Sequence, residues 1–231
     1  MAINLVKGQT IDLRKSDKGD SYDLSSVTIG LGWDIRKKTR SALGGAGFLG
    51  KLFSAAAPAV DQEEYDLDAV AFLLDSHGKV ANLGRSVQTG GRTVGMFEGD
   101  VIYFNSMKHP SGNIWLTGDN RTGAGEGDDE QIIVKLNALD PKVDRILFLV
   151  TIYKGRQKNQ NFGMVENAFI RAVDNNGKEI TRFSLSGDAS FNGMCSITFA
   201  EAYRKEGSWK FRAIGEPHPT DSFTDILTQY T

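Results

Sequence analysis

Apolar residues in this sequence occur in short runs that are rich in β-branched and aromatic side chains and are bounded by Gly, Asn and Asp. Such runs are typical of strands joined by turns, because helices need longer stretches with a period near 3.6 residues. The runs of strand length cover residues 27–33, 69–74, 100–105, 131–136, 145–153, 168–173, 180–185, 196–202 and 209–213. About nine strands with hairpin spacing predict an all-β fold, a two-sheet antiparallel β-sandwich with few short helices.

A chain of 231 residues can bury one good-sized core, so the sequence predicts a single domain with additions. We assign residues 1–215 to the sandwich domain, with residues 36–64 as a surface insertion, and residues 216–231 to a C-terminal tail. The tail carries two prolines and little periodicity before residue 223. We therefore expect it to pack weakly or not at all.

The insertion at residues 36–64 begins with a basic run, passes through a glycine-rich stretch and ends in an alanine run. Its centre contains an apolar group, Phe48, Leu49, Leu52 and Phe53. This group could form a short helix that docks on a partner or a membrane surface. A mobile surface loop explains the same composition, and both interpretations stay open.

Charge and cysteine content exclude several classes of function. The formal net charge is −2, with both signs plentiful, so nucleic acid is not an expected partner. The single cysteine, Cys195, cannot form an internal disulfide or a catalytic dithiol, which argues against a thiol reductase. The apolar runs are shorter than the ~20 residues that cross a bilayer, and residues 1–10 lack the pattern of a secretion signal. We expect a cytoplasmic protein.

Residues 118–130 are the most acidic segment, with five carboxylates and one carboxamide interspersed with glycine. Oxygen donors at this density favour a hard cation, and the repulsion between crowded carboxylates favours a bound counter-charge. Calcium accepts about six to eight oxygens in flexible geometry, whereas magnesium requires a stricter octahedron. The segment therefore indicates calcium, although it lacks the spacing of an EF-hand loop.

Three further aspartates lie at predicted strand ends. Asp34 follows the strand at 27–33, and Asp66 and Asp68 precede the next one. Residues i and i+2 of an extended strand share one face, so Asp66 and Asp68 can point at the same ion. Solvated turns contain the same residue types, and this alternative stays open.

The same segments resemble the TerD family of bacterial tellurium-resistance and stress proteins. The resemblance rests on Leu-Val-Lys-Gly-Gln at 5–9, Gly-Leu-Gly-Trp-Asp at 30–34, Asp-Leu-Asp-Ala at 66–69, Gly-Asp-Asn-Arg-Thr-Gly at 118–123, Gly-Asp-Asp-Glu at 127–130, Asn-Phe-Gly at 161–163 and Trp-Lys-Phe-Arg-Ala at 209–213. The chain departs from the family pattern at the insertion, at residues 82–99 and beyond residue 215.

The resemblance implies a β-sandwich with calcium-binding loops at one end, and these loops are expected to hold about two calcium ions. It also implies a role in resistance to tellurite and other stress. Carried over position by position, it makes these residues the candidate metal ligands: Asp34, Asp66, Asp68, Asp119, Asn120, Asp128, Asp129 and Glu130. Backbone carbonyls near Leu67 and Gly127 are expected to complete the coordination. Expected partners are other stress-response or Ter-type proteins, or a membrane-associated complex reached through the insertion.

Three functions follow from this set of residues. The leading interpretation is a non-catalytic, calcium-dependent interaction module. The alternatives are a metal-dependent hydrolase or nucleotide-binding enzyme, and a calcium-dependent peripheral membrane module. The sequence contains no nucleophile elbow and no recognisable Ser/His/Asp grouping, and carboxylates bound to calcium are poor general bases. We therefore expect that the protein is not an enzyme.

Overall fold

The computed structural model describes residues 2–13, 21–35, 65–89, 92–117, 127–184 and 189–231. The strands of these residues are β1 (Ile3–Leu5), β2 (Thr10–Asp12), β3 (Val27–Ile35), β4 (Leu67–Leu74), β5 (Arg85–Thr89), β6 (Arg92–Phe97), β7 (Val101–Ile102), β8 (Ile114–Leu116), β9 (Glu130–Val134), β10 (Arg145–Ile152), β11 (Val165–Val173), β12 (Glu179–Ser184), β13 (Ser196–Lys205) and β14 (Ser208–His218). The helices of the same described residues are α1 (Gly155–Lys158), α2 (Phe223–Leu227) and four 3₁₀ turns, Leu136–Ala138, Phe162–Met164, Ala189–Phe191 and Thr228–Tyr230.

The described strands form two six-stranded sheets and a separate two-stranded ribbon, β5–β6. The first sheet has the order β1-β12-β11-β3-β9-β8, and the second sheet has the order β2-β14-β13-β10-β4-β7. Neighbouring strands run antiparallel except for β1 and β12, which are parallel. The predicted sandwich is confirmed, and so are eight of the nine predicted strands, whereas the run at 100–105 forms only the two-residue strand β7. The short strands β1, β2 and β8 were not predicted, because runs of three residues carry little pattern, and the separate β5–β6 ribbon was not predicted either.

The N-terminal residues join the two sheets at their edges. β1 pairs with β12 of the first sheet through the register Asn4↔Arg182, and β2 pairs with β14 of the second through Ile11↔Phe211. A dozen N-terminal residues thus supply one edge strand of each sheet.

Alternate residues of the two sheets meet in a central core. β9 shows the alternation plainly, since Glu130, Ile132 and Val134 are buried while the residues between them are half-exposed. Ile132 lies in the same core as Phe148 and Phe199 of the second sheet. Period-two burial of this kind is what a sheet with one covered face requires.

The outer face of the second sheet is also apolar. All eight residues of β4 are buried. Its outward residues, with those of β10, form a second cluster that contains Val70, Phe72, Leu74, Leu147 and Leu149. A strand that is buried on both faces needs an additional layer over it.

The C-terminal segment supplies that layer, and the prediction of a weakly packed tail was wrong. Ile226 and Leu227 of α2 are 2% and 4% exposed and belong to the second cluster. The ring of Phe72 lies 6.4 Å from that of Phe223 and 5.9 Å from that of Tyr230. Apolar residues at 223, 226, 227 and 230 have helical spacing, so one face of the segment covers the sheet. The predicted boundary after residue 215 falls inside β14.

The insertion at residues 36–64 lies outside the described residues. None of the helices in the described part of the chain is long and apolar enough to cross a membrane.

Candidate metal centre

Three strand ends place acidic residues at one end of the sandwich. Asp34 lies near the end of β3, Asp68 lies at the start of β4, and Glu130 begins β9. The Oε2 atom of Glu130 accepts a hydrogen bond of 2.5 Å from the backbone N–H of Ala69. Because β9 belongs to the first sheet and β4 to the second, this contact brings the two acidic strand starts together.

Asp66 and Asp68 enter the second sheet beside the end of β10. The backbone oxygen of Asp66 accepts a bond of 2.7 Å from the N–H of Tyr153, and Asp68 is opposite Thr151 in the strand register. Asp68 is 7% exposed and Glu130 is 2% exposed. Buried carboxylates are costly unless hydrogen bonds or opposite charges compensate them.

The Gly-Leu-Gly-Trp-Asp segment of β3 forms a platform for the segment at 127–130. Leu31 points into the core, so Gly30 and Gly32 face outward. A Cβ atom on Gly30 would lie 2.1 Å from Oδ2 of Asp128, and one on Gly32 would lie 2.4 Å from the ring of Phe169. Both positions therefore require glycine, because neighbouring side chains occupy the space over them.

Asp128 is engaged in a buried ion pair. Its side chain is 1% exposed, and its Oδ1 atom accepts a bond of 2.7 Å from Nε of Arg171. Its Oδ2 atom accepts from Nε2 of Gln131 at 3.2 Å. This hydrogen bond from Arg171 to Asp128 is the largest cause of a raised pKa for the Arg171 guanidinium. Arg171 thus supplies the positive charge that compensates Asp128.

Asp129 occupies a different environment. Its Oδ2 atom accepts a bond of 2.9 Å from the backbone N–H of Trp33. Burial raises the pKa of the Asp129 carboxyl, the Trp33 hydrogen bond opposes that change, and the negative charges of Asp34 and Asp128 add to it. A cation at this end of the sandwich would relieve the same repulsion.

Asp34 lies at the exposed rim of the acidic end. Its Oδ2 atom accepts a bond of 2.7 Å from Nδ2 of Asn167. Asn167 has a φ of 51° and lies where β11 breaks register with β3, between Glu166 and Phe169. The irregularity thus places an amide side chain beside the carboxylate.

The structure brings together part of the predicted ligand set. Asp119 and Asn120 lie outside the described residues. Within the described ranges, no group of three or more His, Cys, Asp or Glu side chains is arranged to hold a metal ion. Asp128, Asp129 and Glu130 instead accept hydrogen bonds from four different groups. The oxygen donors fit calcium in their chemistry, and metal binding stays a prediction.

Sequence reasoning missed Arg171, Gln131 and Asn167. Arg171 is 43 residues from Asp128 in the chain, and β3 lies between their strands in the sheet. Only knowledge of the order β11-β3-β9 could have placed the guanidinium beside the acidic segment.

A hydrogen-bonded Asp–His–Ser series, which was not expected from the sequence, lies around β7. His109 Nε2 is 3.0 Å from Asp100 Oδ1, and Nδ1 is 2.8 Å from Ser111 Oγ. In the serine hydrolase arrangement the two ring nitrogens have the opposite partners. Here Ser111 Oγ also accepts the N–H of Asn113 at 3.2 Å. These contacts stabilise the turn after β7.

A family model of the TerD domain matches residues 1–230. The chain belongs to the TerD domain family. This TerD chain is 53% identical over 230 residues to tellurium resistance protein TerX of Serratia marcescens, with 100% of each chain covered. It is 38% identical over 231 residues to general stress protein 16U of Bacillus subtilis, covering 100% of this chain and 97% of that relative.

Solved structures support the fold of this TerD chain. The crystal structure of a homologue of telluride resistance protein (TerD) from Streptomyces coelicolor superposes with a TM-score of 0.57 at 20% identity. The match covers 90% of this chain and 98% of that one. The TerD resemblance drawn from the sequence motifs is confirmed.

Proposed function

We propose that this TerD protein is a cytoplasmic, calcium-binding, non-catalytic interaction module in resistance to tellurite and in the general stress response. Family membership and the names of its relatives support the part played in resistance and stress. The observation that supports the calcium proposal is that three strand ends carry acidic residues at the same end of the sandwich, with Glu130 bonded across the two sheets to Ala69.

The acidic end favours a cation for electrostatic reasons. Burial raises the pKa of the Asp129 carboxyl, and the excess of negative charge at Asp34 and Asp128 adds to that rise. A bound calcium ion would neutralise it and accept oxygens in flexible geometry. From the described residues we propose Asp34, Asp66, Asp68, Asp129 and Glu130 as side chains that face the ions. The sequence adds Asp119 and Asn120, for a total of about two ions.

Ion binding then orders the acidic end and creates the surface that a partner recognises. The chain's own residues set this end by strand pairing: Leu31 opposite Glu130 in the first sheet, and Thr151 opposite Asp68 in the second. Partners of this surface are proposed to be other stress-response or Ter-type proteins, singly or in a membrane-associated complex.

Calorimetric titration of the purified chain with calcium, in the presence of magnesium, tests the proposal. We expect saturable binding of about two ions and a weaker response to magnesium. Asp68→Asn should weaken calcium binding at least tenfold. Asp140→Asn is the matched control, because Asp140 lies in the exposed loop between β9 and β10, at the opposite end of the sandwich. Absence of calcium heat, or equal losses in both variants, would refute the proposed site.

A further inference from the structure

We infer that Arg171 is a positioning residue for the proposed calcium site and that Asp128, its partner, is not a ligand of the ion. Arg171 holds Asp128 on the outer face of the first sheet, and the resulting bend turns Asp129 and Glu130 toward the acidic end. The inference rests on the proposed function.

The directions of the side chains show the bend. Glu130 is opposite Leu31, whose side chain is in the core, so Glu130 points between the sheets. Asp128 lies over the outward side of Gly30. Residues two apart in a regular strand point to the same face, yet these two carboxylates point to opposite faces. The chain therefore changes direction between Asp128 and Glu130. Gly127, which precedes this bend, has a φ of +115°.

Arg171 and its neighbours fix this arrangement. Nε of Arg171 binds Oδ1 of Asp128 at 2.7 Å, and its Nη1 donates to Oε2 of Glu179 at 3.0 Å. Glu179 in turn accepts two bonds of 3.0 Å from Arg182. A guanidinium held at both ends in this way has a defined orientation, and it transmits that orientation to Asp128.

Asp128 is poorly suited to bind a metal ion in this arrangement. Its Oδ1 atom is used by Arg171, its Oδ2 atom is used by Gln131, and the side chain is 1% exposed. An ion bound by Asp128 would share these oxygens with the two donors and would be repelled by the positive charge of Arg171. Asp129 and Glu130 accept instead from the backbone N–H groups of Trp33 and Ala69 at the acidic end.

A double-mutant cycle in calcium affinity separates positioning from coordination. Arg171→Gln should weaken calcium binding about tenfold, and adding Asp128→Asn should cause little further loss, since both changes remove one contact. If Asp128 were a ligand, Asp128→Asn would cause a further loss of tenfold or more in the Arg171→Gln background. If Arg171 only repelled the ion, Arg171→Gln would tighten binding. Either result overturns the inference.

Two further variants guard against a trivial loss of folding. Arg171→Lys keeps the charge and should retain more calcium affinity than Arg171→Gln, with circular dichroism confirming the fold. Arg212→Gln is the matched control, because Arg212 pairs at 2.7 Å with the buried Glu201 on the second sheet. Its calcium affinity should equal that of the wild type.

Terbium bound in place of calcium gives an independent reading. Luminescence lifetimes in H₂O and D₂O report the number of waters on the ion, and Asp128→Asn should leave that number unchanged. Asp129→Asn should raise it. If the number of waters rises in Asp128→Asn, Asp128 is a ligand; this result overturns the inference but not the proposed function. Wild-type protein that binds neither ion overturns the proposed function as well.

Discussion

The outer faces of the two sheets differ in chemistry. The second sheet carries Phe72 and Leu149 on its outer side, and the C-terminal segment covers them. The first sheet carries Gly30, Asp128 and Arg171 on its outer side, with one buried carboxylate and one partly exposed guanidinium in contact.

The two faces should differ in what they contribute: one to the stability of the fold, the other to the orientation of the acidic side chains. Burial of a large apolar side chain contributes about 1.5–3 kcal/mol, so the covered face should add to the stability that the core between the sheets supplies. A buried ion pair contributes little net free energy, because desolvation offsets the attraction between its charges. Its directional hydrogen bonds nevertheless fix the position of the groups that it joins. The covered face should therefore add to the stability of the fold, and the charged face should affect the proposed binding of calcium.

The largest expected effect is on the covered face. Ile226→Ala removes a side chain that is 2% exposed and should lower the free energy of unfolding by about 3 kcal/mol. Urea denaturation measures this change, and calorimetry should give an unaltered calcium Kd for the fraction that is folded. Gln229→Ala, at an exposed position of the same segment, should change stability by less than about 0.5 kcal/mol. A loss below about 1 kcal/mol for Ile226→Ala would mean that the segment is not a stabilising layer.

Calcium should have the next largest effect. A ligand that binds only the folded state stabilises it by about 2.7 kcal/mol at a hundredfold excess over Kd. Thermal melting with calcium and with a chelator measures this increment. The increment should be the same in Ile226→Ala, since distant and independent contributions add. If calcium no longer stabilised that variant, the covered face and the acidic end would be energetically coupled, and the two regions would not act independently.

The effect of Asp129→Asn on the free energy of unfolding should be opposite in sign without and with calcium. A folded-state pKa that is raised means that ionisation above it costs stability, so the neutral variant should be more stable without calcium. The expected gain is about 0.5–1 kcal/mol, since Asn can still accept the Trp33 N–H. With saturating calcium the variant should be the less stable protein. Chemical denaturation in both conditions tests this, and a variant that is less stable in both would contradict the argument.

Part of this arrangement could be predicted from the sequence. Asp66 and Asp68 were recognised because the period of a strand is local, and the structure places them at one strand start. The covering layer also left a signal, since β4 is apolar at nearly every position and such strands are buried on both faces. Arg171 left none, because its contact with Asp128 depends on the neighbours of β3 in the folded sheet.

The smallest expected effect concerns the junction between β14 and the C-terminal segment. Nε2 of His218 is 2.8 Å from Oγ1 of Thr198, and burial lowers the pKa of His218, which Glu216 partly opposes. The unfolded chain then binds a proton more readily than the folded one, so stability should fall as the pH drops below about 6.5. Melting temperatures between pH 7.5 and 5.5 test the sign. His218→Gln should flatten the profile, and an identical slope in that variant would exclude His218 as its cause.

The N-terminal strands have a consequence for folding and self-association. β1 pairs with β12 and β2 pairs with β14, so residues separated by most of the chain must meet before either sheet edge is complete. Contacts of such high sequence separation form slowly. Until they form, β12 and β14 present unpaired backbone groups that can bind the same edges of another molecule. Refolding yield should therefore depend on protein concentration, even though the finished sheets end in strands of two or three residues.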